Sequence, residues 1–322
     1  MAKLRKVQRT PTGTFFVCLP RSWAEKHGLE KGALVTVDEA DGRLFVDVEA
    51  EGKSQSKVTC LAAGAFLGRE IVGRYLLGYD VIRVQAKERF DFAVRDTVKR
   101  TVASLIGLEI VEETSSEIVL QCLLDVSGFP PEKLLNRNFS TVSGMGRDAV
   151  ATLVDGDVQL AKSIVARDDE SDRQYFLLVR VLRTLIQDSG LSQKLGLTPI
   201  DCMDYRLAAS YVESLGDEAM EIANATLELN GVKPSEVLKK LLVTMHEVCF
   251  EASDKALKAF TSKNVALAED VRSLRNKLDA TLSEVRKAAQ NQPSETLHQM
   301  LKVASSLKRM YKLSVDLADL VA

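Results

Sequence analysis

The segment Arg-Asp-Asp-Glu-Ser-Asp at 167–172 crowds four acidic side chains into six positions of a stretch whose apolar spacing is helical. Ala161, Val165, Asp168, Asp172, Phe176, Val179 and Ile186 follow steps of mostly three and four, which puts them on one helix face. Asp168 and Asp172 therefore stand one turn apart inside an apolar stripe. Like charges at that spacing cost about 0.2–0.5 kcal/mol even on an exposed helix. Buried without a counter-charge they cost far more, or they take up protons. The stretch Tyr-Val-Glu-Ser-Leu-Gly-Asp-Glu-Ala at 211–219 supplies a second pair, Glu213 and Asp217, beside Val212, Leu215, Ala219 and Ile222. Gly216 between them lets another helix come close. Two carboxylate pairs on neighbouring helices make an all-oxygen cage for a hard cation, as in carboxylate-bridged di-metal bundles. Only His27, His246 and His298 are present in the chain and none lies in either segment, so magnesium, manganese or ferric iron is favoured over zinc or copper. Asp169 is an additional candidate ligand. The competing reading is a solvated acidic face paired with Arg167, Arg173 and Arg180.

From Pro131 onward the pattern is helical, in segments 131–153, 155–188, 197–231, 234–261, 263–289 and 293–321. This half is internally repeated. A shift of 107 positions aligns Ala149 with Ala256, Leu153 with Phe260, Asp157 with Asn264, Ala161 with Ala268 and Asp172 with Asp279. A shift of 95 aligns Leu215 with Met310, Ile222 with Leu317 and Ala223 with Ala318. The body is thus expected to be two three-helix units, 131–231 and 234–322. In the second, Asp168 is matched by Arg275, Glu213 by Lys308 and Asp217 by Lys312. Three of the four carboxylates are replaced by cations, so a metal ion is expected in the first repeat only.

Ahead of the helices, residues 57–125 alternate between strand and helix in a βαβαββ order, a small α/β domain. Gly64, Gly68 and Gly73 fall within its first helical pattern and read as packing or subunit-contact positions. Residues 1–50 are short strands with turn punctuation, including an Asp41-Gly42 hairpin signal. So short a piece buries little surface alone and needs a partner. The polar run 51–56 reads as a linker. Overall the expectation is a multidomain α+β chain: an N-terminal β domain, a small α/β middle domain and an all-α tandem of two three-helix bundles.

The 322 residues carry a formal net charge of −2, unevenly placed. The first 32 residues hold seven basic side chains against Glu25 and Glu30, a balance of +5 that leaves −7 for the remainder. A basic head on an acidic body suggests modules with different partners. The five cysteines are scattered without a CxxC pair and read as reduced core residues of a cytoplasmic protein. No apolar run is long enough to span a bilayer, so no membrane insertion is expected. No nucleophile–base pair accompanies the acids, which argues against an enzyme.

The two acidic segments, IVARDDESDRQYFLLVR and YRLAASYVESLGDEAMEIA, resemble the PhoU domain, a tandem of three-helix units in phosphate-uptake regulators. That family carries E/DxxxD motifs and ERIGDHA-like segments that bind metal clusters. The resemblance implies that Asp168, Asp172, Glu213 and Asp217 are the motif acids. It departs at Ser214, where the family has Arg, and at Glu218, where it has His. In the second repeat only the spacing of DKALKAF and the helix lengths support it. The head, VQRTPTGTFFVCLPRSWAEKHGLEKGALVTV, looks like an AbrB/SpoVT-type swapped-hairpin domain, in which two chains exchange hairpins. That resemblance implies a homodimer binding double-stranded DNA through Lys3, Arg5, Lys6, Arg9 and Arg21, with Thr10 and Thr12 as secondary contacts. A dimer doubling the +5 gains affinity by counterion release. The order of head, α/β layer and bundle is similar to archaeal PhoU-family regulators. Together these resemblances imply a DNA-binding regulator of phosphate uptake. The alternative is an adaptor acting on a phosphate transporter ATPase or a sensor kinase.

Overall fold

A computed structural model describes residues 4–40, 42–48 and 56–321. The chain divides into two compact units, Met1–Ser56 and Lys57–Ala322.

In the first unit, β1 (Gln8–Arg9) pairs antiparallel with β2 (Phe15–Phe16), α1 spans Arg21–Lys26, and β3 (Val35–Ala40) pairs with β4 (Arg43–Val48). The first of the short strands expected in this region is thus only two residues long. The turn residue Asp41 and most of the 51–56 run lie outside the described residues, whereas Gly42 has the positive φ that a tight hairpin turn requires. No side chain described in this unit is buried, and Leu4, Phe15, Leu34 and Leu44 are at least two-thirds exposed. Among the described residues of this unit, these apolar side chains are left largely in solvent.

The second unit begins with a four-stranded sheet built from β5 (Val58–Ala62), β6 (Val81–Gln85), β7 (Leu108–Glu113) and β8 (Glu117–Cys122), in the order β5-β6-β8-β7. β5 and β6 are parallel; the remaining pairs are antiparallel. Helices α2 (Leu67–Leu76) and α3 (Phe92–Ala103) cover the sheet, with Ile71, Tyr75, Ile82, Val84, Val98 and Leu120 at the core. Eight helices follow: α4 (Pro131–Asp155), α5 (Val158–Gln187), α6 (Ser189–Lys194), α7 (Pro199–Leu229), α8 (Glu236–Ser262), α9 (Val265–Ser273), α10 (Arg275–Ala289) and α11 (Ser294–Ala318). Pro131 and Pro199 occupy first-turn positions where their missing amide costs nothing. α4, α5 and α7 pack as one triple-helix unit; α8, α9–α10 and α11 form another, joined to the first along α7 and α11.

The helical half repeats in three dimensions as well as in sequence. Asp157 caps α5 by accepting from Gln159 N and Leu160 N, and its counterpart Asn264 caps α9 by accepting from Leu267 N. The aligned pairs Ala149/Ala256, Ala161/Ala268, Ile222/Leu317 and Ala223/Ala318 are all buried.

Four expectations are corrected. The fifth segment, 263–289, is not continuous: it breaks at Leu274 between α9 and α10. There the Tyr311 hydroxyl donates to the carbonyls of Val271 at 3.0 Å and Arg272 at 3.3 Å, oxygens the helical ladder would otherwise use. The break at 188–198 holds a short helix, α6. Ile186 is half exposed, because the buried stripe of α5 runs through Ala161, Ile164, Ser171, Leu178, Val181 and Leu185 instead. Of the five cysteines, Cys122, Cys202 and Cys249 are buried, but Cys18 and Cys60 are exposed.

The α/β layer is pinned to the bundle by Arg180 of α5, which is 2% exposed. Its Nη1 donates to the carbonyls of Tyr75 at 2.7 Å and Tyr79 at 3.0 Å, at the C-terminal end of α2, and Nη2 lies 3.6 Å from Asp80. A cation placed there opposes the negative end of the helix dipole. No helix among the described residues is long and apolar enough to cross a membrane.

Candidate functional site

Gly216 of α7 lies where side chains of α4 and α5 come close to the α7 backbone. A Cβ on that residue would meet Val142 Cγ2 at 3.2 Å, Ser171 Oγ at 3.4 Å and Asp168 Oδ1 at 3.7 Å. The absence of a side chain is therefore what allows the α5 acids to stand against α7. Asp168 and Asp172 of α5, and Glu213 and Asp217 of α7, are all half-buried along this seam. Below them Ser171 Oγ donates to Asn138 Oδ1 of α4 at 3.0 Å, and Asn138 Nδ2 is buried without a partner. Sequence reasoning passed over Asn138; a lone amide within the apolar stripe of α4 was the available signal.

The four carboxylates act on one another. Burial, followed by the charges of Asp172, Asp217 and Asp169, pushes Asp168 up to about 6. Burial, then Asp217 and Asp172, pushes Glu213 up to about 7, against a lowering hydrogen bond from Ser214. Asp172 is raised by burial, Asp217 and Asp169; Asp217 is raised by burial, Glu218 and Glu221. Each site holds its proton unusually tightly because it is partly desolvated and surrounded by its own sign. Asp169 is exposed, off the seam.

Two of the three arginines that would make this an ordinary paired face are engaged elsewhere, and the third, Arg173, is exposed. Arg167 is bound to Asp148 at 2.6 Å, and Arg180 faces the α/β layer. Among the described residues no cationic nitrogen lies within 4.0 Å of Asp168, Asp172, Glu213 or Asp217. Glu218, at the position of the family's His, is bound in fork geometry by Arg309 of α11, with Nη2 2.8 Å from Oε2. The donor chemistry suits a hard cation: all oxygen, multiply anionic and short of counter-charge. As the side chains stand, however, no group of three or more His, Cys, Asp or Glu among the described residues is gathered closely enough to hold a metal ion.

In the N-terminal unit, Lys3 lies outside the described residues, while Arg5, Lys6, Arg9 and Arg21 are all exposed. The Arg9 guanidinium lies 5.4 Å from the Phe15 ring centroid, and Arg21 pairs with Glu25 at 2.7 Å one turn along α1. The hydroxyls of Thr10 and Thr12 are 2.9 Å apart, and Thr10 Oγ1 also accepts from Thr14 N, so both are occupied in shaping the turn.

The PhoU domain family model matches the chain twice, over residues 135–226 and 242–321, together more than half its length. The two matches begin 107 positions apart and end 95 apart, the two offsets of the internal repeat. Among solved structures, PhoU from Pseudomonas aeruginosa is similar in fold, with 19% identity and a TM-score of 0.53 over 61% of this chain and 95% of that one. The phosphate transport system regulatory protein PhoU from Streptococcus pneumoniae is similar with 17% identity and a TM-score of 0.51, over 59% of this chain and 91% of that one. No curated protein matches the chain.

Proposed function

The chain belongs to the PhoU family, and we propose that it regulates phosphate uptake as a DNA-binding homodimer whose helical body reports on phosphate status. The observation that carries this reading is the doubled PhoU domain spanning more than half of the sequence. The N-terminal unit supports the DNA-binding part. Its described side chains include no buried residue, which fits a unit that gains its core from a second chain, and Arg5, Lys6 and Arg9 are all exposed.

In the body, Asp168, Asp172, Glu213 and Asp217 would hold a magnesium, manganese or ferric ion in the first repeat. Such an ion supplies the positive charge that lets all four acids stay ionised at one seam. Without it the acids repel or retain protons, which changes the force between α5 and α7. α5 carries that force two turns beyond Asp172 to Arg180, and Arg180 grips the end of α2 in the layer to which the head is joined in sequence. α5 is therefore the element through which the state of the seam can bias a two-state arrangement of the protein.

The test is binding of promoter fragments by wild type and by Arg5→Ala/Lys6→Ala/Arg9→Ala across a salt series. The expected result is binding that weakens steeply with salt, with the logarithmic slope reduced by about 3 for each head engaged. Undiminished, salt-insensitive binding by the variant removes the head from the mechanism. Absence of DNA binding alongside retained capture of a transporter ATPase or sensor kinase would establish the adaptor reading.

A further inference from the structure

At the position of Gly216 the second repeat carries Tyr311, and here a cavity of about 380 Å³ lies between α9–α10 and α11. Its floor is apolar: Leu278 is 1% exposed and Tyr311 7%, with Val315 beside them. Its walls are cationic. Arg275, Lys308 and Lys312 replace Asp168, Glu213 and Asp217, and all three line the cavity. Asp279 is the one acid on the wall, 3.6 Å from Arg275 Nε. Arg272 also lines it, but it is bound to Glu269 and Asp319. Neither Lys308 nor Lys312 has a carboxylate oxygen within 4.0 Å among the described residues. After these pairings two ammonium groups remain uncompensated around one enclosure.

We propose that this cavity binds a phosphate-bearing anion. Two uncompensated lysines match a dianion, whereas a monocarboxylate would leave one charge unmet. Arg275 adds a planar fork suited to phosphate oxygens, and the lysines act as point charges that follow a tetrahedral group. The apolar floor strengthens these attractions by excluding water from one side. The volume falls in the range of small-molecule sites, so a phosphate carrying an organic group has room over Leu278 and Val315. Free phosphate and an organic phosphate share this chemistry and are separated by the experiment. The inference does not rest on the regulatory reading, and its failure would leave the DNA-binding test unaffected.

The experiment is calorimetric titration of the full chain with inorganic phosphate, adenosine monophosphate and adenosine, at about 150 mM salt where loose surface attraction is largely screened. Saturable binding of phosphate or of the monophosphate, but not of adenosine, is expected. Lys308→Gln/Lys312→Gln, at exposed positions, should fold normally and bind at least about 10-fold more weakly, the worth of one charge-assisted hydrogen bond. Asp279→Asn should bind more tightly, and Asp168→Asn/Asp172→Asn in the other repeat should bind as wild type does. Tighter binding of the monophosphate than of phosphate assigns an organic phosphate; equal affinity assigns the free ion. Absence of saturable binding, adenosine binding as well as its monophosphate, or unchanged affinity in the lysine variant would overturn the proposal.

Discussion

The two repeats of the body share a scaffold and differ at one seam. In the first, Gly216 draws α5 against α7, α5 runs unbroken from Val158 to Gln187, and the half-buried side chains along the contact are acidic. In the second, Tyr311 stands at the matching place, its hydroxyl interrupts the ladder at Leu274, and the side chains around the opening are basic. The helix caps Asp157 and Asn264 and the small buried residues at contact points are kept in both. Apolar spacing and capping therefore specify the three-helix unit, and they leave the charge and closeness of the seam free to vary. Gly216 in one repeat and Tyr311 in the other mark the difference in closeness, and the exchange of Asp168, Glu213 and Asp217 for Arg275, Lys308 and Lys312 marks the difference in charge.

Exchanging the two seams should be costly in a graded way. Tyr311→Ala removes a nearly buried ring and should lower stability by about 3–5 kcal/mol, as for large aromatic deletions in cores. Chemical denaturation measures this, and a loss below about 1 kcal/mol would mean that the ring is not what fills the second seam. Gly216→Leu forces a side chain into a contact where a Cβ alone would already meet Val142 at 3.2 Å. The expected cost is about 1–3 kcal/mol, the range for overpacking. Tyr311→Phe keeps the ring and removes the hydroxyl that holds Val271 and Arg272. It should cost about 1 kcal/mol, the net worth of a typical hydrogen bond. Hydrogen exchange should then show slower exchange of the amides at 275–276, as the α9–α10 ladder closes. Unchanged exchange there would separate the break from the tyrosine.

Much of this was legible in the residues, and what was not has definite causes. The duplication could be read because small residues recur wherever helices touch, and the cap residues recur with them. The βαβαββ order could be read because its strands and helices differ in period. The pairing of Asp168 and Asp172 with Glu213 and Asp217 across one seam was suggested by their matched one-turn spacing beside Gly216. Whether their oxygens converge on one ion depends on side-chain rotamers, which spacing does not specify. The grip of Arg180 on α2 joins residues about a hundred positions apart, and an arginine beside an acidic run reads naturally as that run's counter-ion. The break at Leu274 was hidden for a similar reason: nothing in 263–289 disfavours a helix, and the group that interrupts it comes from α11.

The smallest expected effect is also the one that isolates the acidic seam from its basic counterpart. Asp168 is raised from 3.8 to about 6 and Glu213 from 4.5 to about 7, so the folded protein binds these protons more tightly than the unfolded chain does. Their contribution to stability is therefore complete below about pH 4 and is lost as pH rises through 6 and 7. Buried His246 acts in the opposite sense. Burial, aided by Arg147, lowers it from 6.5 to about 4, so its contribution is present above pH 6.5 and lost as pH falls toward 4. The two trends overlap, and comparison of variants separates them, since His246 is common to all. In metal-free buffer, Asp168→Asn/Glu213→Gln should lose less stability than wild type between pH 5 and pH 8, visible as a flatter profile of melting temperature against pH. Lys308→Gln/Lys312→Gln in the other repeat should leave the slope as it is. Manganese or magnesium at pH 8 should raise the wild-type melting temperature and leave that of Asp168→Asn/Glu213→Gln where it was. If the acidic and basic variants follow the same profile, the desolvated acids of the first seam are not the source of its proton affinity. The contrast between the repeats would then be one of shape alone.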